Sequence, residues 1–408
     1  MAAVINARSM SASGSTIGTK PNLLYKIDGH AARVNDVFLL SKEEGIWTVS
    51  DDRSVRLYLK RDNGQFWPSI HHFNPVPPTC IDFNEDSSRL LVGLLNGNVV
   101  EFTVSEDLNS LSERRRWQLH AGPVTAVFLA LPAEKVFSCA KDKSVIWSCS
   151  ETGDKMGSFV CENSCMCLLV DLPFVFVGDG GGHVVVLRLN GNQAQLVSRL
   201  SAHTKSVTSL AWDSTKQQLF SGSSDHLVIM WDIGGKRGQA YELNNHNAGV
   251  TSLAVAPNAR RLFSADDSGK LVCWDMEAER LETPAWQTSD TCQQCEAPFF
   301  WNVTAMWQRK VVGSRQHHCR TCGQAVCDAC CSERTTFPQM GFELPVRICK
   351  NCHVKMRAEP DKFDLTPLAI SSELRCGVTA MRMQTSAARL ATASHNRTIL
   401  IWDIHPLF

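Results

Sequence analysis

The sequence predicts an all-β fold of seven repeated units, with a small cysteine-rich module spliced in before the last. Three observations carry this. Strand-like apolar runs recur at intervals of 40 to 45 residues, ending at Tyr58, Phe102, Trp147, Leu187, Trp231 and Trp274. The next copy ends at Trp402, 128 residues further on, which leaves room for an insert. That gap holds four C-x-x-C pairs within 61 residues.

The fifth and sixth units show the pattern best: "AHTKSVTSLAWDSTKQQLFSGSSDHLVIMWD" and "NHNAGVTSLAVAPNARRLFSADDSGKLVCWD". Each runs from a histidine through an alternating strand and a turn to a strand of small residues. A third strand then closes in Trp-Asp. Weaker copies start at "GHAARVNDVFLL", "TCIDFNEDSSRLLVGLL", "HAGPVTAVFLA", "CLLVDLPFVFVGDGGG" and "GVTAMRMQTSAARLATAS". These segments resemble the WD-repeat family, whose unit is a four-stranded blade of a β-propeller. A lone blade cannot bury both faces, so blades pack around an axis and protect one another's edges.

The resemblance implies a seven-bladed propeller, in which one terminus usually completes the blade begun by the other. Residues 1–20 are Ser/Gly-rich, lack an apolar signal core and are read as a flexible tail. Residues 21–275 hold blades one to six, with Asn22–Ile27 expected to close blade seven beside the strand ending at Trp402. Residues 276–364 form the inserted finger with its linkers. Residues 365–408 supply the outer strand of blade six, expected at Leu365–Ile370, and blade seven. Pro367 is acceptable in an outermost strand, which can lack a ladder donor. The aspartate before the terminal aromatic is present as Asp52, Asp142 and Asp225 but becomes Ser268 and Asn396, where the hydrogen-bond network is expected to be incomplete.

Composition narrows function. Lysine plus arginine equals aspartate plus glutamate at 41 each, which argues against bulk nucleic-acid binding and makes any anion recognition local. No apolar run is long enough to span a bilayer as a helix. A reducing cytosolic setting is expected, in which seventeen cysteines point to metal and buried thiols rather than disulfides. No catalytic triad, phosphate loop or paired carboxylates stand out, so a non-enzymatic protein is expected.

Four C-x-x-C pairs supply eight thiolates, enough for two closed, structural Cys₄ zinc sites. Only "GQAV" separates the second and third pairs, so a site shared between them would need a cramped loop. Alternate pairing gives Cys292, Cys295, Cys327 and Cys330 for one zinc and Cys319, Cys322, Cys349 and Cys352 for the other. Cys331 is a bystander. This is the interleaved cross-brace, and a RING finger would need a lone cysteine before His317.

The insert instead resembles the FYVE family, through "RQHHCR" at 315–320, "RIC" at 347–349, and Trp286 with Asp290. With the blades, the chain resembles WD-repeat and FYVE-domain-containing proteins. The resemblance implies binding of phosphatidylinositol 3-phosphate by Arg315, His317, His318, Arg320 and Arg347, with Asp290 on inositol hydroxyls. Val311 and Val312 match the membrane-dipping tip. The plainer reading of the arginines is that they offset the negative Zn(Cys)₄ centres. Two departures stand out: Gln316 replaces a basic residue, and three residues rather than two separate Trp286 from Asp290. Phe299, Phe300, Trp301 and Trp307 are read as packing of the small zinc core. The implied function is an adaptor on early endosomes and in the cytosol, with unidentified protein partners on the propeller and avidity from homo-oligomerisation. The rivals are a cross-brace ubiquitin ligase and a chromatin reader with an aromatic cage.

Overall fold

The computed structural model describes residues 20–41, 44–234, 240–359, 363–374 and 376–408. The tail expected over residues 1–20 thus lies, but for Lys20, outside the described residues. Seven four-stranded antiparallel sheets make the propeller. Blades one to five span residues 34–73, 78–118, 124–160, 165–201 and 207–243. Blade six joins residues 250–275 to Ala369–Glu373, and blade seven joins 378–403 to Asn22–Ile27.

The middle strands explain the apolar runs. Gly45–Ser50 and Arg89–Leu94 are buried at every residue, because each lies between neighbouring blades on both faces. The outer strand Leu111–Gln118 keeps most of its side chains out of the core. Between blades five and six, Phe220, Val228, Leu243, Val250, Leu262 and Trp274 form one inter-blade core.

A second device ties the blades together near the axis. The innermost strand of every blade carries a register irregularity at its start. Thr79, Thr125, Thr208 and Thr379 sit there and each donates to the first strand of the next blade. Thr79 Oγ1 lies 2.7 Å from Val124 O, Thr125 Oγ1 3.0 Å from Cys165 O and Thr208 Oγ1 2.5 Å from Val250 O. Thr379 Oγ1, 2.6 Å from Val34 O, carries the same clasp from blade seven back to blade one. Closure is completed on the outside, where Leu23 pairs with Trp402 and Ile27 with Ile399.

Within blades, a histidine, a hydroxyl and an aspartate lock the turn. His203 Nδ1 lies 3.0 Å from Asp225 Oδ2 and its Nε2 2.8 Å from Ser221 Oγ, which also accepts from Trp231 Nε1. Asp142 keeps this role although it stands five rather than six residues before the terminal aromatic, reaching His120 at 3.3 Å. Blade six corrects the expectation of a gap at Ser268. There Asp266, two residues earlier, binds His246 at 2.9 Å, and Ser264 links His246 to Trp274. Among the described residues blade seven has no such pair within the blade: Asn396 caps its own turn through Thr398, Trp402 donates to Thr392, and His395 reaches Asp267 of blade six instead.

These pairs set an acid limit. Burial depresses the pKa of His30, His120 and His246, outweighing their aspartates. Burial works to raise Asp266, but hydrogen bonds from His246 and Ser268 overcome it and hold the carboxyl at about 2. The unfolded histidines bind protons from about pH 6.5 downward while the native ones resist, so stability falls as pH drops below that value. The aspartate contribution persists until far lower pH. We therefore expect the propeller's melting temperature to be lower at pH 5 than at pH 7.5, with a shallower dependence in His246→Asn. Calorimetry at both pH values checks this, and an unchanged slope in the variant would assign the acid loss elsewhere.

The insert leaves blade six after Asp275 and returns at Ala369, which pairs with Trp274. The outer strand is thus Ala369–Glu373 rather than Leu365–Ile370. Pro367 has no N–H to donate, and Leu368 N is engaged by Glu343 Oε1 instead. The finger is also fastened to blade five. Asn244 N donates to Gly341 O at 2.7 Å and Glu343 N to Asn244 O at 3.1 Å. Arg280 Nη2 donates to Asp275 O at 2.8 Å, and Leu281 N to Gln339 O at 2.8 Å. Gly341 has φ +83°, and a Cβ there would lie 1.7 Å from Glu242 O, so this approach requires glycine.

Candidate functional site: a zinc-held cationic cleft

The finger has little regular structure: the pairs His317–His318 with Ala325–Val326 and Glu333–Phe337 with Phe342–Ile348, and helices α1 (Val303–Arg309) and α2 (Lys350–Ala358). Its core contains Cys331 and seven of the eight paired cysteines, Cys295 being exposed, but few other apolar side chains, chiefly Phe299, Val326, Ile348 and Met356. The thiols converge in two groups, Cys292/Cys295/Cys327/Cys330 and Cys319/Cys322/Cys349/Cys352. A tetrahedral zinc with Zn–S of about 2.3 Å sets sulfurs about 3.8 Å apart. The Cys295–Cys327 and Cys322–Cys349 sulfurs are 3.6 and 3.9 Å apart. Backbone N–H groups of Cys327 and Cys349 point at the sulfurs of Cys292 and Cys319, at 3.3 and 3.2 Å, which favours thiolates. Both quartets fit zinc. Cys331 is buried beside them and belongs to neither.

A cleft of about 370 Å³ is lined by Trp286, Gln316, His317, His318, Arg320, Arg334, Pro345, Val346 and Arg347, with His317, His318, Arg320 and Arg347 one or two positions from the ligands Cys319 and Cys349 in sequence. Its histidines and arginines come from three strand segments, His317–His318, Glu333–Phe337 and Phe342–Ile348, and from the knuckle after Cys319. Arg320 N donates to Arg347 O at 3.1 Å, which joins the two elements. Trp286 stacks on His318 with centroids 4.8 Å apart, and the Arg320 guanidinium lies 4.7 Å from the same indole. His318 Nε2 is 3.1 Å from Gln287 O. The Oδ1 atom of Asp328 stands 2.9 Å from His317 Nε2 and 2.8 Å from Arg347 Nη1. Exposed Arg334 is the cross-strand partner of Arg347.

The FYVE zinc finger family model matches residues 285–358, and the WD domain, G-beta repeat model matches residues 194–232, 238–275 and 370–403. The chain is 61% identical over 404 residues to "WD repeat and FYVE domain-containing protein 2" of Caenorhabditis elegans, covering 99% of this chain and 97% of that one. It belongs to the WD repeat and FYVE domain-containing protein family. The Homo sapiens protein of that name is 46% identical over 390 residues, covering 95% and 96% of the two chains. The Homo sapiens "WD repeat and FYVE domain-containing protein 1" is 45% identical over 409 residues, covering 100% and 97%. The crystal structure of the WD40 beta propeller domain of Doa1 shares the fold at TM-score 0.61 and 14% identity, covering 94% of this chain and 97% of that one.

The FYVE cleft gathers four of the six expected lipid residues: His317, His318, Arg320 and Arg347. Arg315 is exposed outside its lining. Asp290 is not brought to it. Its carboxylate accepts from Trp301 Nε1 at 3.0 Å, and its carbonyl accepts from Phe299 N and Asn302 Nδ2, which turn it toward α1. Gln316 Nε2 donates to Ser289 O, filling the place of a cation with a structural bond. Two residues were missed, Arg334 and Asp328. The signal for Arg334 was its strand position opposite Arg347, since two like charges face each other stably only around an anion or counter-charge. The aromatic linker also departs from expectation. Phe299 is buried, but Phe300, Trp301 and Trp307 are 56%, 52% and 86% exposed, so three of the four do not pack the core.

Proposed function

We propose that this protein is a non-enzymatic adaptor that binds phosphatidylinositol 3-phosphate on early endosomal membranes through its FYVE finger and protein partners through its propeller. The observation that carries this is the cleft, where three arginines and two histidines converge beside two zinc-held knuckles. Guanidinium groups give paired donors to phosphate oxygens, and the imidazoles add donors at ring depth. Trp286 braces His318 and Arg320, so less side-chain freedom is lost on binding. Asp328 offsets part of the charge on Arg347 and contacts His317, whose pKa burial lowers, until a phosphate takes its place. No helix among the described residues is long and apolar enough to cross a membrane, and peripheral attachment through the finger does not need one. Flotation with vesicles carrying phosphatidylinositol or its 3-, 4- or 5-phosphate tests the reading. Selective recovery with the 3-phosphate is expected, and equal recovery with all four would overturn it.

A further inference from the structure

The segment between the first two cysteine pairs does more than connect them. Helix α1 is capped by Asn302 Oδ1, which accepts from Ala305 N, and none of its residues is buried. Its chain continues into Val311 and Val312 through Val311 N to Met306 O at 3.2 Å, and Gly313 N lies 2.9 Å from Met306 Sδ. Val303, Met306, Trp307, Lys310, Val311 and Val312 line one open concavity of about 570 Å³. Trp307 is 86% and Val312 88% exposed there, too much apolar surface on one short segment to be incidental.

Two features identify what covers it. Residues 297–327 contain no aspartate or glutamate, while Lys310, Arg315 and Arg320 lie in this stretch with Arg309, which is paired with Glu296. Tryptophan and valine flanked by cations suit the boundary between acyl chains and anionic head groups. The patch is also continuous with the cleft along the chain: His317 stands five positions after Val312, at most about 18 Å of extended chain. A lipid whose head group fills the cleft therefore brings its bilayer to this patch.

We infer that α1 is a second membrane-inserting element, with Trp307 and Val303 entering the head-group boundary of an anionic bilayer beside Val311 and Val312. This rests on the lipid reading of the cleft. The test compares full-length wild type, Trp307→Ala and Val303→Ser/Trp307→Ala on two probes. These are phosphatidylcholine/phosphatidylserine vesicles doped with phosphatidylinositol 3-phosphate, and soluble inositol 1,3-bisphosphate. Both positions are exposed, so zinc content and melting temperature should match wild type. Vesicle affinity should fall about fivefold or more in Trp307→Ala, and further in the double variant, with head-group affinity unchanged. Acyl-brominated lipids should quench wild-type indole fluorescence more than that of Trp307→Phe. Equal losses on both probes, unchanged vesicle binding, or loss of self-association instead would overturn the inference. If wild type binds neither probe, the lipid reading falls with it.

Discussion

Removing zinc should abolish lipid binding while the propeller remains folded. The finger's interior is mostly cysteine, and its few apolar side chains cannot hold it together unaided. Structural zinc contributes apparent binding free energies of about 10–16 kcal/mol in small finger peptides, so chelation takes away most of what folds this module. Losing the quartets frees Arg320 and Arg347 from the knuckles that aim them. The inter-blade cores use none of the eight ligands, and Ala369–Glu373 remains within reach of its partner strand. We expect two zinc ions released per chain, complete loss of vesicle binding, and retention of most β-sheet circular dichroism. One zinc per chain, or a propeller that melts on chelation, would refute the separation of the two cores.

Arg320→Ala should cost at least tenfold in head-group affinity with zinc content still at two. Arg320 is adjacent to a ligand but is not one, and its side chain lies over Trp286 at the cleft wall. Each charge-assisted hydrogen bond to phosphate is worth roughly 1.5–3 kcal/mol, and about 1.4 kcal/mol is a factor of ten. Some of the stacking on Trp286 is lost as well, which loosens His318. Titration calorimetry with the soluble head group, alongside zinc analysis, measures both quantities. Intact affinity would mean that Arg320 merely offsets thiolate charge; lost zinc would make it a structural residue.

What could be read from the sequence follows from which features have fixed spacing. Blades must return to the axis at a constant period, and two thiolates on one knuckle need two intervening residues, so seven units and two quartets were legible. Pairwise substitutions were harder. Ser268 stood where an aspartate was sought, yet Asp266 reaches His246 from two positions earlier, because the turn lets either residue face the ring. Pro367 hid the start of the blade-six outer strand. Asp290 fitted a motif by letter but was claimed by the Trp301 indole, in a linker whose path no short pattern encodes. Exposure of Trp307 was invisible for the same reason: composition shows that a residue is apolar, not whether a core exists to receive it.

The triple fastening of the finger, at Asp275, at Ala369 and through Gly341 on blade five, would change how the two binding surfaces proposed above combine. A module on a flexible tether must search for its second ligand, and the length of the tether sets the effective concentration. Here there is no slack to search with. Cargo held by the propeller would meet the vesicle at one height and one tilt, so geometry acts as a filter. On the proposed reading, partners displayed at that height would gain the full benefit of two-point attachment, and those displayed elsewhere would gain none.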